Sequence, residues 1–172
     1  IESSYERLLD IMQEQFATND FMLGDRPGRG DFGIYGQFTQ LVKWDPTSMA
    51  VAAKRAIKTV NWTDRMDDLS WLPVDGDSGW VTLEDLPAAT RKLLAEIGST
   101  YAPFMVANAQ ALMSGADEAV CEIHGQTYRQ GPFAYQGKCL KWLRDDYAAL
   151  SDADRLRVDA ALDGTGCEVL FT

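Results

Sequence analysis

The sequence predicts an all-α protein, an amphipathic helical bundle carrying a small β-hairpin. Three observations lead there. Apolar residues recur at spacings of three and four along most of the 172 residues, which gathers them on one face of a helix. Clusters of Gly, Pro, Asn and Asp cut these runs into pieces of helical length. Strand-like alternation is confined to one stretch near residue 120.

Tyr5, Leu8, Leu9, Met12 and Phe16 share one face, with Glu6, Asp10, Gln13 and Glu14 opposite, so a first helix is expected up to the polar step Thr18-Asn19-Asp20. Phe21, Met22 and Leu23 form an apolar plug before the turn Gly24-Asp25-Arg26-Pro27-Gly28. Helical spacing resumes at Asp31, with Phe32, Tyr35, Phe38, Leu41 and Val42 directed inward until Asp45-Pro46. Thr47 or Ser48 is expected to cap a third helix that buries Met49, Ala52, Ala53, Ala56 and Ile57. Trp62, Met66 and Leu69 then mark a fourth helix.

Residues 70–81 are rich in Pro and Gly and read as a loop. Thr82 or Asp85 should cap a long helix with Leu86, Leu93, Leu94, Ile97, Tyr101, Phe104, Met105 and Leu112 in its stripe. Pro103 predicts a kink near Ser99 or a break into two helices. Ala119–His124 alternates as a strand and can turn at Gly125-Gln126 into a second strand over 127–130. Tyr135, Cys139, Leu140, Leu143 and Tyr147 restore helical spacing. Ser151, supported by Asp154, caps a last helix with Leu156 and Leu162 inward, and Cys167–Phe171 is expected to add a third short strand.

With 16 Lys and Arg against 26 Asp and Glu, the net charge is −10, and 46% of the residues are hydrophobic. That suffices for a core. No basic block exists to neutralise phosphates, so neither nucleic acid nor an anionic membrane is an expected partner. No apolar run approaches the about 18 residues of a bilayer span. Cys121, Cys139 and Cys167 lie in apolar surroundings and read as reduced thiols of a cytoplasmic protein. The chain starts at Ile1 rather than Met, and is expected to be a piece of a longer protein.

Residues 21–38, FMLGDRPGRGDFGIYGQF, resemble the glutathione S-transferase C-terminal domain. There an apolar plug and a Gly-Asp turn precede an Asp that begins a buried helix. Asp45-Pro46 and Trp62-Thr63-Asp64-Arg65-Met66 are also similar to that family, and the likeness covers about residues 2–69. In the family a Ser or Thr caps the buried helix, and the Asp three residues on bonds back to the cap backbone. Here the Asp is Asp31 and the capping place is Gly28.

The resemblance implies a transferase C-terminal-like core over residues 1–69, a loop over 70–81, and over 82–172 a helical extension with a small β element, all packed as one domain. It implies an upstream thioredoxin-like domain that binds glutathione as co-substrate and holds the catalytic group. Residues 2–17 match the second helix of the C-terminal domain, so this piece would hold no cofactor and would not be active alone. A homodimer stays open. Tyr5 and Tyr35 are the substrate-pocket candidates, because the resemblance places their helices near the interdomain cleft. A helical protein-interaction module without catalysis is the alternative, its acidic surface suited to a basic protein partner.

Other chemistry finds less support in the residues. Asp31 reads as a helix-start carboxylate facing free backbone amides. The Gly24–Gly30 turn lacks both the setting of a dinucleotide fingerprint and the Lys-Ser/Thr pair of a P-loop. Cys121 and His124 have a metal-like spacing, but no second ligand pair accompanies them, and on a strand they point to opposite faces. One His makes a Ser-His-Asp hydrolase hard to assemble. Neighbouring acids such as Asp67-Asp68 and Asp145-Asp146 read as solvated helix faces.

Overall fold

A computed structural model describes residues 2–73 and 76–172. Among these it contains seven α-helices and one two-stranded antiparallel hairpin, so the protein is mostly helical. The chain divides into two compact units, residues 1–90 and 91–172.

In the first unit, α1 (Glu2–Thr18), α2 (Arg29–Lys43), α3 (Pro46–Arg55) and α4 (Ile57–Asp67) form the bundle. The core is built where their apolar stripes meet: Leu9 and Met12 from α1, Phe38 and Val42 from α2, Ala52 from α3, Trp62 and Met66 from α4. Trp62 is fully buried, stacked on Phe16 at 4.6 Å between ring centroids and met edge-on by Phe38 at 6.1 Å. Removing a buried aromatic ring of this kind costs roughly 3–5 kcal/mol.

α3 starts differently from the sequence expectation. Asp45, not Thr47 or Ser48, is its cap: one carboxylate oxygen accepts from the backbone N–H of both residues, at 2.9 Å each. Pro46 takes the first helical position, where its missing N–H costs nothing. Asp45-Pro46 therefore starts a helix as well as following one. Several residues expected inward are outward: Phe32 is 53% exposed and Ile57 53%, and Met49 and Ala53 are exposed too. Leu69 lies beyond the end of α4.

The helix α5 runs from Ala88 to Ser114 and carries Pro103 inside it. It starts after Leu86 and runs as one helix, neither broken into two nor capped by Thr82 or Asp85. In the second unit, residues of α5 pack with α6 (Ala134–Ala148), α7 (Asp152–Leu162) and a closing 3-10 helix, Cys167–Phe171. Ala102, Met105, Leu140, Cys167 and Leu170 form the main core cluster. The 3-10 helix replaces the expected third strand. Its carbonyls are used otherwise: Arg144 Nε donates to Leu170 O at 2.7 Å, and no strand pairs with it among the described residues. Gly98 lets the chain before this helix approach α5, since a Cβ there would lie 2.0 Å from Thr165 O.

The expected hairpin forms, but its turn falls at His124-Gly125 rather than Gly125-Gln126, so that His124 leaves the first strand and Gln126 joins the second. β1 (Ala119–Ile123) pairs with β2 (Gln126–Gln130), placing Cys121 opposite Tyr128. Tyr128 meets Phe104 of α5 edge-on at 5.6 Å. Ser151 caps α7, its Oγ accepting from Asp154 N–H at 3.1 Å. Leu156, Leu143 and Leu112 are nevertheless exposed rather than inward, and Ala161 is the buried residue of α7.

Candidate functional site

The start of α2 holds a buried, hydrogen-bonded polar centre of the first unit. α1 ends at Thr18, and the plug Phe21-Met22 is buried beneath the turn. Gly28 is the N-cap in extended backbone, without a side chain to offer the helix. Asp31 supplies the other half of the cap from inside the helix. Its Oδ2 accepts from Gly28 N–H and its Oδ1 from Met22 N–H, both at 2.9 Å, while its own N–H donates to Gly28 O at 3.1 Å. The carboxylate is thus a bridge between the plug and the helix start. It is 1% exposed. Burial pushes its pKa above the usual carboxylate range, and the Gly28 and Met22 amides act in the opposite direction.

Gln15 secures the plug from the other side. Its Nε2 donates to Phe21 O at 3.3 Å and Met22 O at 3.0 Å, and its Oε1 accepts from Thr90 Oγ1 at 3.0 Å. A Gln on a helical stripe gives no sequence signal of such a role. Its partners are fixed only when the chain folds back.

Tyr5 and Tyr35, the two pocket candidates, occupy separate environments. The half-buried Tyr5 hydroxyl faces two carbonyls of the α2 end and α3, Leu41 O at 3.2 Å and Ser48 O at 3.3 Å. Burial raises its pKa, and the Asp45 carboxylate adds to the rise. Tyr35 donates to Asp67 on α4. Lys43 joins the same group, paired with Asp67 and, at 2.9 Å, with Asp64. The structure therefore gathers Tyr35, Lys43, Asp64 and Asp67 where α2 faces α4. Among the described residues it gives Tyr5 and Tyr35 no common hydrogen-bond partner.

The remaining candidates are also dispersed. Cys121 is partly buried, and burial raises its thiol pKa, the opposite of a poised nucleophile. His124 sits at the hairpin turn with a φ of 50°, its Nε2 3.9 Å from Glu96 Oε1. No cluster of three or more His, Cys, Asp or Glu able to hold a metal occurs among the described residues. No helix among them is long and apolar enough to cross a membrane. Asp145 pairs with Lys141, and Asp154 with Arg157.

Comparison of the chain with protein-family models, with curated protein sequences and with solved structures found no match.

Proposed function

We propose that residues 1–69 are the core of the distal part of the C-terminal helical domain of a glutathione S-transferase-like protein, joined by the loop 70–81 to a helical extension over 82–172. The single observation that supports this reading is the Asp31 bridge. The apolar plug, the Gly-Asp turn and a helix-start carboxylate bonded back to its cap are the local arrangement that the resemblance implies, here at Phe21-Met22, Gly24-Asp25 and Gly28–Asp31. The reading rests on those residues and that geometry. In it, this region contributes the apolar side of an electrophile cleft, with Tyr5 and Tyr35 facing the substrate. The glutathione-binding and catalytic groups belong to an upstream thioredoxin-like domain, and the piece is inactive by itself in the cytoplasm.

A specific observation favours a second reading, a non-catalytic helical interaction module. Both tyrosine hydroxyls are engaged internally, Tyr5 by main-chain carbonyls and Tyr35 by Asp67. A net charge of −10 would steer a basic protein partner. One experiment separates the two. The intact parent protein is passed over immobilised glutathione and assayed for thiol conjugation with a broad electrophile panel. Retention with conjugation supports the transferase reading, and neither retention nor conjugation refutes it in favour of the module.

A further inference from the structure

Residues 76–81 lie across the turn between α1 and α2, within the first unit. Two main-chain bonds hold them there: Asp25 N–H donates to Gly79 O at 2.8 Å, and Val81 N–H donates to Leu23 O at 2.9 Å. Residues 76–79 are all exposed, and Trp80, at 40% exposure, supplies the main apolar burial of the segment. Arg26 supplies most of the other contacts. Its Nη1 donates to Gly76 O at 2.8 Å and to Ser78 O at 3.3 Å, and lies 4.0 Å from Asp77 Oδ1. Its guanidinium stacks over Trp80, 4.9 Å from the ring centroid. Trp80 in turn donates to Asp77 Oδ1 at 3.1 Å and sits over Gly28, a ring carbon 3.4 Å from where a Cβ would be.

We infer that residues 76–81 are a releasable strap over the start of α2, latched by Arg26. Segments with few buried contacts and exposed hydrogen bonds open at lower free energy than the core. A planar cation that both forks onto carbonyls and stacks on an indole is a latch that no other side chain reproduces. Opening the strap lifts Trp80 from Gly28 and uncovers the helix start that Asp31 bridges. The strap thereby controls the exposure of that site under either proposed reading.

Gly24 provides an independent means of prying the strap off. Its φ is 127°, and a Cβ there would lie 2.2 Å from Gly79 O, a main-chain atom that can move only with the strap. The test is residue-resolved amide hydrogen exchange on the full chain, comparing the parent with Arg26→Ala, Arg26→Lys and Gly24→Ala. The amides of Asp25 and Val81, which make the two main-chain bonds, report opening, and those in the middle of α1 and α4 report the bundle. Arg26→Ala should speed exchange at Asp25 and Val81 by about 10-fold or more, the scale of losing hydrogen bonds to a charged group. The α1 and α4 amides should stay within about twofold of the parent, and Gly24→Ala should give the same pattern. Arg26→Lys should fall between parent and Ala. Unchanged exchange at Asp25 and Val81 in Arg26→Ala overturns the latch. Equal acceleration throughout, or failure of both Ala variants to fold, overturns the strap as a separate element.

Discussion

Replacing Asp31 by Ala removes the acceptors of two backbone amides at once. The Gly28 N–H sits at a half-buried helix start, and the Met22 N–H lies in the buried plug, with Met22 6% exposed. Each amide left unpaired away from water costs about 1–3 kcal/mol. The Gly28 amide falls at the low end because water can reach it, and the Met22 amide at the high end. Against this, the variant no longer keeps a carboxylate out of water, a burden visible in the raised pKa of Asp31. The net expectation is a loss of about 3 kcal/mol, above the roughly 1 kcal/mol of an ordinary exposed cap. Urea unfolding followed by circular dichroism measures it directly. The melting temperature should fall by roughly 6–12 °C if the chain melts as a whole, and by about twice that if residues 1–90 melt alone. Asp31→Asn keeps one carbonyl oxygen but turns an amide nitrogen toward the other N–H, and should fall between. A loss below about 0.5 kcal/mol for Asp31→Ala would refute the bridge as a source of stability.

Gly28→Ser should complete the cap from the outside, because its Cβ would make only ordinary contacts with Trp80 and Asp31. A gain of a few tenths of a kcal/mol, about 0.5 at most, is expected in the same urea assay. Because burial raises the Asp31 pKa, its folded form prefers the proton. Its stability contribution is full below the unfolded value of about 4 and is lost as pH rises through the higher folded value. The stability advantage of the parent over Asp31→Asn should therefore shrink from pH 4 upward in paired melts, and an advantage that widens would contradict it. Gly33→Ala and Gly36→Ala point into open space from α2 and should each stabilise by about 0.5–1 kcal/mol. Gly98→Ala would drive a methyl into Thr165 O and should cost about 1–3 kcal/mol or more, read as a lower unfolding midpoint.

The helices were legible where local chemistry decides them. The stripe of α1, the Ser151 cap and the alternation of the hairpin each state their structure within a few residues. Errors arose where a residue serves two neighbours or where a distant partner decides. Asp45 reads as a stop because Pro46 follows it, yet the same pair caps the next helix. Cys167–Phe171 has strand-like residues but, among the described residues, no strand beside it, and it forms a 3-10 helix that follows Gly166 in the left-handed region, at φ 81°. Apolar residues at helical spacing, such as Leu156 at 70% exposure, need not be inward when a helix packs over a narrow stripe. In the candidate site, Asp31 is recognisable from its place three residues after a turn glycine. Its bond to Met22, nine residues upstream, has no local signature, nor has the meeting of Tyr35 with Lys43 and Asp67.

Asn108 is the counterpart of Gln15 in the second unit, holding Phe133 by both N–H and C=O at 2.7 and 3.1 Å. Gln15 carries a practical consequence for dissecting the chain. The donor to its Oε1 is Thr90, at the first turn of α5, 75 residues away. A recombinant piece that stops at residue 69, where the fourth helix has ended, would lose that donor, open to water a site that is 1% exposed in the whole chain, and also lack the 76–81 segment. The shortest stand-alone version of the first unit consequently ends no earlier than Thr90, beyond the loop at which a cut by sequence pattern would fall.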